Sequence, residues 1–166
     1  AAMLNDFLRF IKNEHLFLPH QRILLAVSGG MDSVVLCNLF HQAQFEFAIA
    51  HCNFHLRGKE SDGDEKFVSE LANTYNVPFY CTTFETKQFA ASHGISIQMA
   101  ARQLRYDWFE ELRRNENYDY IAVAHHLDDQ VETFFINLLR GTGIAGLHGI
   151  LPKQNHLIRP LMFCYR

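Results

Sequence analysis

Four short apolar segments, each separated from the next by an amphipathic stretch, constrain the fold of this chain most strongly. They are typical of strands at 22–27, 46–52, 78–84 and 119–124. Between and around them, apolar residues at helical spacing predict helices at 4–17, 33–44, 61–76, 86–93, 96–116 and 128–140. Apolar strands that alternate with helices favour a parallel sheet covered on both faces. We therefore predict an α/β fold with a parallel, Rossmann-like sheet and helices on both faces.

The first of these strands runs directly into a Ser-Gly-Gly turn at 28–30, and a helix starts near Asp32. Such a turn directs backbone N–H groups toward one point at the positive end of a helix dipole, which favours a phosphate. Ser28 and Ser33 can add hydroxyl donors, and Asp32 can hold a metal ion that bridges phosphates. An ordinary strand–turn–helix connection explains Ser-Gly-Gly alone equally well, but the complete Ser-Gly-Gly-x-Asp-Ser sequence favours nucleotide binding.

Polar clusters follow the second and fourth predicted strands. His51, Asn53 and His55 alternate past the second strand end, where side chains can reach a bound nucleotide. After the fourth strand, Asp129 and Glu132 share one face of a predicted helix, next to a pair of histidines. Like charges at this spacing repel each other, so the cluster favours a cation, either Mg²⁺ or the ammonium of an amine substrate. Zinc is disfavoured, because the sequence places no third soft ligand nearby.

Basic side chains cluster on the predicted helix at 96–116. Arg102 and Arg105 are spaced so that both guanidinium groups project from one helix face. Arginine forks bind phosphate oxygens through two hydrogen bonds, which suits a pyrophosphate or an RNA backbone. A solvated helix face remains the alternative, because most arginines are exposed in proteins of any function.

Composition indicates more about the cellular location of the chain than about its binding partners. Its 166 residues suit one domain with a sizeable core, and its formal net charge of −3 gives no nucleic-acid signal. The four cysteines form no Cys-x-x-Cys pair, and no apolar run approaches the roughly 20 residues of a membrane span. We therefore expect a single domain over 1–166, cytoplasmic, with reduced thiols and no membrane partner.

Five motifs occur in order along the chain and together carry a family resemblance. They are AVSGGMDS at 26–33, HCNFHLRG at 51–58, ARQLRY at 101–106, HHLDDQVET at 125–133, and LRGTG at 139–143 with glycines as far as Gly149. In these motifs the chain resembles the N-terminal catalytic domain of bacterial tRNA(Ile)-lysidine synthetases. That family belongs to the PP-loop ATP pyrophosphatases, and the resemblance implies an adenine nucleotide alpha hydrolase fold. The last motif separates it from the related tRNA thiolation enzymes, which commonly carry paired cysteines.

The resemblance implies a two-step, ATP-dependent ligase reaction in tRNA modification. Carbon 2 of the wobble cytidine in a CAU anticodon is activated by adenylation of its oxygen, with release of pyrophosphate. The amine of free lysine then displaces AMP, which gives lysidine. The implied cofactors are ATP and Mg²⁺, the implied partners are tRNA(Ile) and lysine, and a homodimer is a further expectation.

The resemblance also implies a role for each motif. ATP contacts fall on the first loop and on the end of the second strand, at Ser28, Gly29, Gly30, Met31, Asp32, Ser33, Ala50 and His51. Catalytic roles fall on Asp32, Arg102, Arg105, His125, Asp129 and Glu132. The arginines would face phosphates or the flipped cytidine, and His125 would contact the activated cytosine or assist proton transfer. Asp129 and Glu132 would receive the lysine ammonium, and Asp32 and Asp129 would share Mg²⁺.

The chain departs from the family pattern after the second strand. Family members often read His-x-Asn-His-Gly-Leu-Arg, whereas this chain reads His-Cys-Asn-Phe-His-Leu-Arg at 51–57. His55 therefore stands one position later than the second histidine of the pattern, and we assign it no role. The family uses C-terminal domains to grip tRNA, and we expect this chain to be truncated before them, so that it binds ATP but modifies tRNA poorly.

Two other functions fit parts of the sequence. Another PP-loop enzyme that uses sulfide or ammonia in place of lysine would share the ATP chemistry, but sulfur transfer calls for reactive paired cysteines. A nucleotide-binding module without turnover would share the phosphate-binding loop. Simple binding has no need of the histidine–carboxylate cluster at 125–132, which favours an enzyme.

Overall fold

The computed structural model describes residues 2–56, 58–124 and 150–165. Its helices are α1 (Ala2–Asn13), α2 (Met31–Gln42), α3 (Lys59–Tyr75), α4 (Thr86–His93) and α5 (Ile97–Asn115). Its strands are β1 (Arg22–Ala26), β2 (Glu46–Asn53), β3 (Phe79–Thr83), β4 (Tyr120–Val123), β5 (Lys153–Gln154) and β6 (Leu157–Ile158), and a 3-10 helix spans Met162–Tyr165. None of the helices in these ranges combines the length and the apolar character needed to cross a membrane. The predicted helix at 128–140 lies outside the described residues.

The sheet has β1 near its centre and the strand order β3-β2-β1-β4-β6-β5. β1 pairs in parallel with β2 and β4, so Ala26 lies opposite Ala50 on one side and Val123 on the other. The chain first extends the sheet from β1 to β3 and then returns to place β4 on the opposite side of β1. In such sheets ligands bind at the carboxyl ends of the strands, beside this reversal of order.

The strand pairing confirms the predicted α/β fold and adds one feature. All of the predicted strands form, and they pair in parallel. Beyond these strands, the structure pairs β6 in parallel with β4 and antiparallel with β5. Asn155 turns the chain between β5 and β6 with a left-handed φ of 55°. The hydrophobic pattern missed β5 because Lys153 and Gln154 are polar.

Alternate strand residues face opposite sides of the sheet, and helices bury both sides. Ile23, Leu25 and Ile49 pack with residues of α1, α2 and α3 in one core. Leu24 faces the other way and packs in a second core with Phe109 of α5. The predicted helices on both faces are thereby confirmed.

A cluster of phenylalanine rings fixes α1 and α2 against β2. Phe40 of α2 is fully buried, and its ring centroid lies 5.6 to 5.8 Å from the rings of Phe7, Phe17, Phe45 and Phe47. Aromatic pairs at such distances add about 0.5–1.5 kcal/mol each beyond the burial of apolar area. Much of the packing energy on this face therefore comes from side chains remote from the carboxyl ends of the strands.

The first helix is shorter than the predicted 4–17. It ends at Asn13, and His15 adopts a left-handed φ of 53°. The backbone N–H of Leu16 donates to the carbonyl of Ile11 at 3.0 Å, which closes the helix end. Leu16 and Phe17 are buried after this turn rather than on the helix. Their apolar character explains why helical periodicity alone extended the helix too far.

Candidate functional site

The loop between β1 and α2 bends at Gly29. This residue has a φ of 99°, a conformation that residues with a Cβ rarely adopt. The loop packs against α3 here, since a Cβ built on Gly29 would lie 3.6 Å from Val68 Cγ2 and 3.9 Å from Asp64 Oδ1. The Ser-Gly-Gly turn thus lets the chain pass sharply from strand to helix, as the sequence predicted.

Two serine hydroxyl groups hold this loop in shape. Ser33 Oγ accepts a hydrogen bond from Gly29 N–H at 3.2 Å and donates one to the carbonyl of Gly30 at 2.8 Å. Ser28 Oγ accepts from Gly30 N–H at 3.3 Å. Ser33 is buried, whereas Ser28 is exposed. The sequence predicted both hydroxyls as donors to a ligand, and the structure adds that they organise the loop itself.

We expect Gly29→Ala to lower the free energy of unfolding by about 1–3 kcal/mol, because alanine is strained at a positive φ. Crowding is not the reason, since the nearest atom to the built Cβ lies at an ordinary contact distance of 3.6 Å. Urea denaturation measures the change.

Gly63→Ala is the matched control for this substitution. Gly63 lies inside α3, and a Cβ built on it meets no atom within 4 Å. Alanine at a helical position without strain stabilises by about 0.4–1 kcal/mol. A loss of stability of the same size in both variants would contradict the role of backbone strain at Gly29.

His51 fastens the start of the loop to β2. Its side chain is buried on the α2 and α3 face of the sheet, which it shares with Ile49 by strand alternation. His51 Nδ1 lies 2.7 Å from the carbonyl oxygen of Val27, so this nitrogen carries a proton and donates. Val27 N–H in turn donates to the carbonyl of Ala50 at 2.9 Å. His51 therefore contacts the loop directly.

A cavity of about 140 Å³ opens at the carboxyl ends of β1, β2 and β4. The strand ends and the residues after them line it with Ala26, Val27, Ser28, Cys52, Phe54, Val123 and Ala124, and the helices with Ser33, Arg105, Tyr106 and Phe109. Of the side chains predicted for ligand binding, it brings together Ser28, Ser33 and Arg105. Ala50 and His51 are not among its lining residues. Hydroxyl and guanidinium groups thus meet apolar walls at the reversal of strand order.

Tyr106 contacts Arg102 and Arg105, the two arginines of α5 that the sequence predicted as site residues. The centroid of its ring lies 4.9 Å from Arg102 Cζ and 4.8 Å from Arg105 Cζ. One Arg105 Nη also lies 3.5 Å from the Tyr106 hydroxyl oxygen. Cation–π contacts of this kind contribute about 0.5–2 kcal/mol, more where water is excluded. The tyrosine ring therefore orients Arg105 at the cavity wall, with Arg102 beside it.

The segment after β2 is fixed by buried polar residues. Asn53 is 4% exposed, and its side-chain amide donates to Asp62 Oδ1 at 3.2 Å. Its Oδ1 accepts from the backbone N–H of His55 at 2.9 Å. His55 has a left-handed φ of 56°, and its Nδ1 lies 3.3 Å from Glu85 Oε1. Glycine adopts this left-handed conformation more readily than a residue with a Cβ does.

The sequence profile of the PP-loop domain matches residues 2–166. The chain belongs to the PP-loop family. Its segment Ser28–Ser33 is called the PP loop below.

Several curated relatives match most of the chain. The tRNA(Ile)-lysidine synthase of Bacteroides thetaiotaomicron is 52% identical over 155 residues, which cover 93% of this chain and 36% of that protein. The synthase of Parabacteroides distasonis is 44% identical, covering 96% of this chain and 36% of its own length. That of Chlorobaculum tepidum is 42% identical, covering 93% and 49%. The chain therefore spans between a third and a half of the length of these relatives.

Solved structures of more distant proteins share the fold. The NH3-dependent NAD synthetase of Campylobacter jejuni superposes with a TM-score of 0.56 at 15% identity, over 73% of this chain and 54% of that one. The NMN synthetase of Francisella tularensis gives a TM-score of 0.56 at 15% identity, over 72% and 51%. These likenesses show a common α/β fold.

Part of the predicted site lies outside the described residues, namely His125, Asp129 and Glu132. Of the two predicted magnesium ligands, Asp32 lies half-buried in the first turn of α2, and Asp129 belongs to the undescribed part. Within the ranges that the structure covers, no group of three or more His, Cys, Asp or Glu side chains could hold a metal ion. The assignment of magnesium to Asp32 and Asp129 stays a prediction.

Sequence reasoning missed four of the larger cavity-lining side chains: Cys52, Phe54, Tyr106 and Phe109. A signal for the first was present, because alternation in β2 puts residue 52 on the face opposite to His51. Tyr106 lies one helical turn after Arg102, and Phe109 lies one helical turn after Arg105. Helical spacing could therefore have placed both aromatic residues on the face of the arginines. Phe54 lies in the segment after β2, where periodicity gives no direction.

Proposed function

We propose that this chain forms the ATP-cleaving part of an enzyme that ligates lysine to the wobble cytidine of tRNA(Ile). The observation that supports this most is the shared cavity, in which the PP loop meets Arg105 at the carboxyl edge of the sheet. The relatives named tRNA(Ile)-lysidine synthase supply the substrate class. The activity, the tRNA and the lysine belong to this proposal, since the chain covers only part of those proteins.

The PP loop would bind the phosphates of ATP. The N–H groups in the first turn of α2 have no earlier helical carbonyl to bond, and the helix dipole adds positive potential there. The Asp32 carboxylate in this turn would repel phosphates unless a cation lies between them. Its hard oxygen atoms fit Mg²⁺, which would neutralise phosphate charge in the complex.

Arg105 would stabilise the pyrophosphate as it leaves. In the proposed first step the carbonyl oxygen at carbon 2 of cytidine attacks the α-phosphorus of ATP, and the bond to pyrophosphate breaks. Negative charge then accumulates on the leaving oxygens, where a guanidinium oriented in advance lowers the barrier. The contact of Arg105 with Tyr106 supplies such an orientation.

The second step would require an unprotonated lysine amine. In this proposal Asp129 and Glu132 receive the ammonium, and His125 contacts the activated cytosine or helps to remove a proton. The amine then attacks carbon 2 and AMP leaves with the former carbonyl oxygen. These three residues are proposed from the motif at 125–133 alone, and a homodimer likewise stays a prediction.

The cysteines disfavour sulfur transfer as the second candidate function. Burial raises the pKa of Cys37 and Cys52 to about 12. Cys81 and Cys164 are more exposed, and partial desolvation raises the pKa of each, to about 12 for Cys81. Glu65 adds to the effect at Cys81 by accepting a hydrogen bond from the thiol. A sulfur carrier needs a thiolate near neutral pH, so these thiols are poorly suited to that chemistry.

The decisive experiment uses the full-length protein and, alongside it, the 166-residue chain. Each is incubated with ATP labelled at the α-phosphate and with a tRNA(Ile) transcript that bears a CAU anticodon. AMP, pyrophosphate and lysine bound to RNA are measured with and without lysine. We expect AMP to form only with the tRNA, and lysine to become attached to it. Sulfide or ammonia dependence would instead support another PP-loop enzyme, and ATP binding without AMP would support a binding module.

A further inference from the structure

The aromatic side chain after β2 lies in the wall of the cavity beside the PP loop. We propose that Phe54 is the platform on which the adenine base of ATP stacks. This inference rests on the proposed function, because it takes ATP as the ligand of the cavity. Phe54 was outside every predicted set of site residues, and the family pattern has histidine at its position.

The ring of Phe54 is backed by two further aromatic side chains. Phe84 stacks on it with ring centroids 5.8 Å apart and an angle of 26° between the ring planes. Trp108 of α5 then meets Phe84 edge to face at 6.5 Å. A side chain supported in this way loses little rotational freedom on binding, so a base that stacks on it meets a wall already in place.

The backbone of Phe54 is fixed independently of its ring. The buried hydroxyl of Thr86 donates to the carbonyl of Phe54 at 2.8 Å. On either side, Asn53 accepts from the backbone N–H of His55 at 2.9 Å and, through its carbonyl, from that of Phe84 at 2.9 Å. These bonds join the segment to the end of β3 and to the start of α4. The backbone that carries the Phe54 ring is therefore fixed on both sides of the residue.

The chemistry of the cavity separates a base from a phosphate. Hydroxyl and guanidinium groups come from the PP loop and Arg105, and these suit phosphate oxygens. Besides Phe54, the lining includes the apolar side chains of Cys52, Phe109 and Val123. A purine has two flat apolar faces, and either face can stack on an aromatic side chain. The nucleotide in this cavity would therefore direct its base toward Phe54 and its phosphates toward the PP loop.

The test compares ATP with inorganic tripolyphosphate, which has the phosphates but no base. Calorimetry on this chain measures the Kd of each ligand for wild type, Phe54→Leu and Phe54→His. Leucine keeps an apolar wall without a π face, so we expect its Kd for ATP to rise about 5- to 20-fold. The Kd for tripolyphosphate should stay unchanged. Histidine restores a flat ring, and we expect it to recover most of the affinity for ATP.

Phe89→Leu is the matched control, because Phe89 stacks on His93 of α4 and is not among the residues that line the cavity. An unchanged Kd for ATP in Phe54→Leu would overturn the platform, and so would parallel weakening of ATP and tripolyphosphate. If Phe54→Leu kept its affinity for ATP but lost tRNA-dependent turnover, Phe54 would stack on the cytosine rather than on adenine. Failure of the wild type to bind ATP would overturn the proposed function as well, which separates the two outcomes.

Discussion

Asp32→Ala should reduce tRNA-dependent formation of AMP by about 100-fold or more, the scale of losing one preorganised electrostatic contact in a transition state. The residue lies in the first turn of α2, next to the proposed phosphate site. Without magnesium the same carboxylate repels ATP, so its removal should leave the Kd for ATP in EDTA unchanged or lower. A defect in turnover without a defect in metal-free binding would thus mark Asp32 as acting through a cation.

Asp6→Ala is the charge-matched control for that variant. Asp6 is an exposed residue of α1 whose carboxylate pairs with Arg9 at 3.1 Å. We expect its activity to equal that of the wild type. Formation of AMP by Asp32→Ala within threefold of wild type would show that Asp32 has no catalytic role.

Arg105→Met should weaken AMP formation by about 100-fold, since the change removes the guanidinium that we propose to stabilise the leaving pyrophosphate. Methionine keeps much of the apolar stem and packs next to Tyr106, so the fold should survive. We expect kcat to fall more than the affinity for ATP, because the contact strengthens as the bond to pyrophosphate breaks. Steady-state release of pyrophosphate at saturating and limiting ATP separates the two effects.

Arg114→Met repeats this substitution on the same helix at an exposed position in its last turn. It should leave kcat and KM unchanged, which controls for the loss of one positive charge from α5. If Arg105→Met raised KM and left kcat intact, Arg105 would serve ground-state binding of ATP alone.

The sequence was enough to predict the order and type of the main elements, because apolar strands and amphipathic helices differ in period. It also located the bend at Gly29, since Ser-Gly-Gly directly after an apolar strand is typical of a sharp turn into a helix. The direction of side chains around the site was harder. The hydrogen bond from the His51 side chain to the carbonyl of Val27, for example, was not predicted. The role of Ala50 and His51 in nucleotide binding stays a prediction.

The cavity walls were beyond sequence reasoning for a physical reason. Phe54, Tyr106 and Phe109 line one cavity because the fold brings the segment after β2 and α5 together at the carboxyl edge of the sheet. Helical spacing can place Tyr106 and Phe109 on one face of α5, but neither segment carries a signal of its proximity to the other. Positive φ values at non-glycine residues such as His55 are equally hidden, because local hydrogen bonds impose them against the preference of the residue.

The hydrogen bonds inside the PP loop have a consequence for the energetics of turnover. Gly29 and Gly30 N–H groups already donate to the hydroxyls of Ser33 and Ser28. A phosphate that took either amide would displace a hydroxyl, so the net gain is the difference between two hydrogen bonds rather than the strength of one. The reverse exchange accompanies departure, because the serines reoccupy the amides and the empty loop stays ordered. In the proposed reaction, such an exchange would lower the barrier to releasing pyrophosphate and would keep the loop ready for the next ATP.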